Sequence, residues 1–133
     1  MAGVVQDDWI KTSLGDNVSG ALVGVKVHLF SNNVTPTNAD SLATYTEANF
    51  TGYAAATASG WSAAGLTGHV ASTTANPVTF TLTAGSQNVY GYYLTDSTSG
   101  KLYAAERDPN APVALNTTAS TYQITPKIER QSA

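Results

Sequence analysis

The chain contains no cysteine, and only 11% of its 133 residues are charged, against about 25% in an ordinary globular domain. The first absence excludes disulfides, thiolate nucleophiles and cysteine-based metal sites together. Six Lys+Arg stand against nine Asp+Glu, too little positive charge to follow a phosphate backbone, so nucleic acid is not an expected partner. No stretch approaches the ~20 consecutive apolar residues that span a bilayer, and the N-terminus lacks the basic start and apolar block of a secretory signal. The expectation is therefore a chain made in the cytoplasm, with no membrane partner. Thr, Ser, Asn, Ala and Gly stand where the charges would be, giving a surface of small uncharged polar groups. Such surfaces are frequent where protein packs on protein in a large assembly, or where a particle faces the outside medium. A low-charge extracellular sandwich has the same composition.

The length fits one domain. Residues 1–20 show no sustained period yet carry Val4, Val5, Trp9, Ile10 and Leu14, so they read as an extended arm that needs a surface to lie on. That surface is either its own domain or a neighbouring subunit. Residues 21–128 read as a β domain and 129–133 as a tail. From Ala21 to Phe30, Val23, Val25, Val27 and Leu29 alternate with Gly24, Lys26 and His28, the pattern of a half-buried strand. His28 then points outward as a solvated strand residue, and with only His69 elsewhere a metal site is not expected.

Turn residues around Pro36 follow, with Asp40 or Asn38 as N-cap for one helical turn over Ser41–Tyr45. Phe50 and Tyr53 give a strand-like patch, and Trp61 among Gly, Ser and Ala reads as a core plug rather than a ligand platform. In PVTFTLTAG, Val78, Phe80 and Leu82 alternate with Thr79, Thr81 and Thr83, a strand with one wet face. TYQITPKI places Tyr122, Ile124 and Ile128 on one side, and Pro126 marks an edge strand or its end. At least five strand candidates separated by Gly/Asn/Ser/Pro turns predict an all-β, single-domain antiparallel β-sandwich of jelly-roll or Ig-like type, or a small open barrel.

The stretch VYGYYLTDSTSGKLYAAERD is the most patterned part of the chain. Val89, Gly91, Tyr93 and Thr95 alternate with Tyr90, Tyr92 and Leu94, and the return run alternates Leu102, Ala104 and Glu106 with Tyr103, Ala105 and Arg107. Asp96–Gly100 suits a hairpin with a bulge, and Gly91 marks a bulge or a place where a cross-strand tyrosine needs room. Glu106 and Asp108 do not find a cleft suited to glycoside hydrolysis. No nucleophile elbow of the G-x-S-x-G type is present, and the two histidines have no visible setting. One acid in Asp96–Gly100 is too few for calcium. No enzyme activity, metal or cofactor is expected. Tyr90, Tyr92 and Tyr103, with Trp61, could instead offer a flat surface to sugar rings.

Five segments, taken together, resemble a group of small tailed-bacteriophage proteins encoded near head genes: Asn32-Asn33-Val34-Thr35-Pro36, Tyr45–Tyr53 (YTEANFTGY), Val89-Tyr90-Gly91-Tyr92, Ala105-Glu106-Arg107 and Thr125-Pro126-Lys127. The likeness runs over about residues 22–128. It departs in the return strand, where relatives often read Leu-Trp and this chain has Tyr103-Ala104. The resemblance implies a virion structural protein, a head decoration (cement) protein bound to the major capsid protein on the outer shell and assembled as a homotrimer. The contact residues expected are Val4, Val5, Trp9 and Ile10 of the arm and Tyr90, Tyr92, Tyr103, Glu106 and Arg107 of the hairpin. The rival readings are a sugar-binding adhesion module of a head or tail fibre and a ring component of the tail or neck.

Overall fold

The computed structural model describes residues 6–18, 20, 22–98 and 100–131. Among the described residues one α-helix precedes eleven short strands: α1 (Asp7–Val18), β1 (Lys26–Phe30), β2 (Ala56–Thr57), β3 (Gly65–Thr67), β4 (Val70–Thr74), β5 (Val78–Thr81), β6 (Gln87–Val89), β7 (Gly91–Thr95), β8 (Leu102–Arg107), β9 (Val113–Leu115), β10 (Thr121–Ile124) and β11 (Lys127–Gln131). All pairings are antiparallel. The largest sheet has the order β2-β1-β7-β8, a second has β11-β4-β3, and β10-β5 and β6-β9 form two-stranded pairs. The molecule is thus an all-β protein of several small antiparallel sheets, with one added helix.

Period-2 alternation builds the main core. Val25, Val27 and Leu29 enter it from β1 and its approach, Phe80 and Leu82 from β5 and its exit, Tyr92 and Leu94 from β7, and Tyr122 and Ile124 from β10. The exposed threonines Thr79, Thr81 and Thr83 fall on the wet face, as the alternation in PVTFTLTAG predicts. The second face of the large sheet is covered as well. Residues 31–47 cross it and lay Tyr45 and Val34 against Phe30 and Tyr93, so every residue of β7 is buried. Trp61 packs against the main core, in line with the plug reading.

Several expectations need correction. Strand β1 begins at Lys26, because Leu22–Gly24 form a turn in which Gly24 has φ of 78°, a conformation suited to glycine. Val23 is consequently 62% exposed, and Leu22 is buried in its place. The Phe50–Tyr53 patch is a turn, closed by Tyr53 N–H donating to the Phe50 carbonyl at 2.9 Å, with a single bridge between Thr51 and Ala84. The helical turn is a 3₁₀ turn over Leu42–Thr44 whose N-cap is Ser41 rather than Asp40 or Asn38. TYQITPKI is two strands in different sheets, with the buried Pro126 at the corner between them.

The arm also has structure. Residues 7–18 form a helix although their sequence, DDWIKTSLGDNV, holds Thr, Ser, Gly, Asp and Asn, all weak helix formers. Tertiary packing supplies what propensity does not. Leu14 is fully buried against Ala71, with Ala64 and Ile128 beside it, and Arg130 Nη1 donates to Ser13 Oγ at 2.8 Å. Of the two surfaces open to the arm, this segment lies on its own domain, against β4, β11 and β3.

A candidate binding groove along strand β8

The hairpin β7–β8 forms as its turn residues predict, with Gly91 opposite Arg107, Tyr92 opposite Glu106, and a register shift between Leu94 and Thr95. The extra residue on β8 lies at Tyr103, so the alternation changes phase there. Tyr103 and Ala104 both lean toward the main core, while Leu102 and Ala105 pack on the other face. A second change of phase lies at Tyr90, between β6 and β7. Val89 therefore joins Tyr92 and Leu94 in the main core, whereas Tyr90 lies with Tyr93, correcting the unbroken alternation expected from sequence. Gly91 makes room for an aromatic ring, but that ring is Phe30 of β1 rather than a tyrosine.

Strand β8 is one edge of the large sheet, and a groove of about 460 Å³ runs along it. Leu102, Tyr103, Ala104, Ala105 and Glu106 form its floor, Pro36–Asn38, Asp40 and Tyr45 one wall, and Lys127 and Glu129 the other. Five successive strand residues line it because it follows an edge; a site on one face would be lined by alternate residues. Asp40 accepts from Tyr45 Oη at 2.5 Å and from Thr37 N and Oγ1, both at 2.8 Å. The Tyr45 bond and then the Thr37 bonds hold the Asp40 carboxyl below its usual range. Tyr92 Oη donates to Glu106 Oε1 at 2.9 Å and accepts from Lys127 N at 3.1 Å. Lys127 Nζ meets Glu129 Oε1 at 2.7 Å, and that pairing raises the lysine's pKa.

Acid–tyrosine pairs recur through the fold. Tyr53 donates to Glu47 at 2.6 Å, Tyr122 to Asp108 at 2.7 Å and Tyr103 to Asp96 at 3.2 Å. With Tyr45 and Tyr92, five of the seven tyrosines donate a hydrogen bond to a carboxylate. Burial first, and the facing carboxylate second, push the Tyr45, Tyr53, Tyr92, Tyr103 and Tyr122 phenols above their ordinary range. Tyr93, stacked between His28 and Tyr45, is pushed up to about 12 by burial, with Glu47 adding to it.

His28 is not the solvated strand residue expected. Its Nδ1 meets Glu47 Oε2 at 2.6 Å and its Nε2 meets Thr95 Oγ1 at 2.8 Å. Glu47, His28 and Thr95 thus have the connectivity of an acid–base–nucleophile triad, which sequence inspection missed because the three lie on separate segments. Thr95 is only 3% exposed, and none of the three lines the groove or the smaller cleft of about 150 Å³ beside Tyr122. A substrate carbonyl has no way to the hydroxyl, and the trio ties β1, β7 and the covering segment together. Among the described residues, no group of three His, Asp or Glu could hold a metal ion.

The expected contact residues separate into pairs. Tyr92 and Glu106 bind one another. Arg107 donates through Nη1 to Asn33 Oδ1 at 2.8 Å and to the Val34 carbonyl at 3.1 Å, with its guanidinium 5.4 Å above the Tyr90 ring. Glu106 and Arg107 do lie on opposite faces, as their alternation requires, and each finds its partner inside the chain. Tyr103 and Glu106 both line the groove, and Tyr103 donates to Asp96 rather than to another of the expected residues. No flat tyrosine platform results, since Tyr92 is buried and Tyr90 lies under Arg107. Val4 and Val5 lie outside the described residues; Trp9 and Ile10 fall within α1, with their side chains also outside the described part. Of the groove residues, only Tyr103 and Glu106 were among those expected from sequence; both walls, with Asp40, Tyr45, Lys127 and Glu129, were missed, and only the period-2 spacing of Lys127 and Glu129 was a signal. No family model, curated protein or solved structure matches this chain.

Proposed function

We propose that this chain is a non-enzymatic structural protein of a tailed-phage particle: a jelly-roll or Ig-like β-sandwich that decorates the outer face of the capsid. It would bind the major capsid protein as a homotrimer at local three-fold positions, after synthesis in the host cytoplasm. Many weak contacts repeated around the shell would clamp neighbouring capsomers, with multivalency raising the affinity. The observation that carries the reading is the use made of the ionisable groups. Five carboxylates each take a tyrosine hydroxyl of the same chain, and His28 is held between Glu47 and Thr95. These groups brace loops and strands, as suits a scaffold with a sparsely charged exterior, and the five-segment resemblance points the same way.

The test is the molar ratio of this protein to the major capsid protein in purified virions of the encoding phage. Shell decoration gives a ratio between about one to three and one to one, as repeated occupancy of symmetric sites requires. A handful of copies per particle indicates a tail, neck or fibre component, and no copies removes every virion role.

A further inference from the structure

We propose that the groove along β8 takes an extended peptide segment of another protein, bearing Lys or Arg, as a strand added to the large sheet. This does not depend on the virion reading, because it concerns what the edge can bind whatever the partner belongs to. The first ground is the strand itself. At six residues β8 is the longest strand among the described residues, while β2 at the opposite edge has two. Its stretch Leu102–Ala105 has no charge and no proline, residues that usually blunt a solitary edge, and beyond the bulge at Tyr103 the strand keeps regular register over Ala104–Arg107.

The second ground is the direction of the backbone. Asp108 N–H donates to the Tyr90 carbonyl at 2.9 Å. Antiparallel alternation then turns the amide and carbonyl of Glu106 and Ala104 toward β7 and those of Ala105 outward. Among the described residues, no backbone bond outside the regular elements ends on Leu102–Arg107. A strand alongside β8 would pair with these outward groups, its side chains alternating between the two walls.

The third ground is charge. Asp40, Glu106 and Glu129 line the groove with Lys127 as the one cation, already joined to Glu129. Three of the nine acids in a sparsely charged chain therefore meet at one strip, for a formal balance of −3 + 1 = −2. An added strand with basic residues answers that balance, whereas a second copy laying its own β8 there would bring the same excess of acid. Pro36, Leu102, Ala104 and the Tyr103 ring leave apolar surface for the residues between.

The test uses the ¹⁵N-labelled full chain and a capped seven-residue peptide alternating lysine with valine. Two controls accompany it, one with glutamate for lysine and one N-methylated at alternate amides. The expected result is resonance shifts over Tyr103–Glu106, hydrogen exchange at the Ala105 amide slowed at least tenfold, and binding at least tenfold weaker for both controls. Glu106→Gln, which keeps an acceptor for Tyr92, should weaken binding of the lysine peptide severalfold with the fold intact by amide spectra. Equal binding of the lysine and glutamate peptides, or binding without protection of Ala105, overturns the proposal. So does a peptide-free dimer that protects Ala105, which would give the edge to a second copy. Shifts produced by maltohexaose but not by the peptide would make the groove a sugar site and sink the strand-addition reading.

Discussion

A methyl group at Gly91 would overlap the Glu106 carbonyl oxygen and lie 2.8 Å from the Phe30 ring. Overpacking of this kind costs about 1–3 kcal/mol, and more where backbone is the obstacle. Gly91→Ala should therefore destabilise by about 3 kcal/mol or more, read as a lowered urea midpoint; an unchanged midpoint would mean that β7 and β8 can part locally without penalty. Tyr92→Phe tests the acid–tyrosine pairs. It strips Glu106 of a donor and Lys127 N–H of an acceptor, and a bond to a charged group contributes about 1.5–3 kcal/mol. Tyr103→Phe, at a longer 3.2 Å and on a half-exposed ring, should cost clearly less in the same titration. Equal losses would show that burial and the shorter distance at Tyr92 do not strengthen its hydroxyl bonds over that of Tyr103.

Helix α1 rests on a small cluster of its own, separate from the main core. Leu14→Ala should destabilise by about 2–5 kcal/mol. It should also raise amide exchange across residues 7–18 well before the large sheet responds; uniform loss of protection would instead make the helix part of one cooperative unit. The same element shows where sequence reading stops. Strands announced by strict alternation, such as Val78-Thr79-Phe80-Thr81 and Tyr122-Gln123-Ile124, were legible because period 2 is a local signal. The helix was not, since its residues have poor propensity and its reason for existing, the bed formed by Ala71 and Ile128, lies more than fifty residues away. Phase changes at Tyr90 and Tyr103 were invisible for a related reason, because a bulge shows only when the partner strand is known. The groove depends on three segments meeting, and of its two walls only Lys127 and Glu129 carried a periodic trace.

Across the whole molecule, six tyrosines hold their protons more tightly than in an unfolded chain, where phenols titrate near pH 10. Above that pH the folded state binds more protons than the unfolded one, so stability is fully present below about pH 10 and falls as pH rises. Each tyrosine ionised only when unfolded contributes about 1.4 kcal/mol of loss per pH unit. The expected outcome is a single step between about pH 10 and 12 in which tyrosinate absorbance and loss of sheet circular dichroism coincide. Gradual tyrosinate absorbance near pH 10 with the sheets intact would refute the pairing as a source of stability. Asp40 works in the other direction: its lowered value gives a contribution present above the unfolded carboxylate range and lost as pH falls through the folded one.

The β3–β4 turn opens β4 at the end paired with Gln131. Thr67, Gly68 and His69 are exposed, and a side chain built at Gly68 would meet nothing within 4 Å. Lengthening a surface connection costs only about 0.6 kcal/mol per doubling. A foreign epitope spliced between Gly68 and His69 would enter at the Val70–Gln131 end of the β4–β11 pairing, whereas Lys127 of the groove pairs with Thr74 at the other end, which makes the turn a place to carry cargo without cutting the docking edge itself.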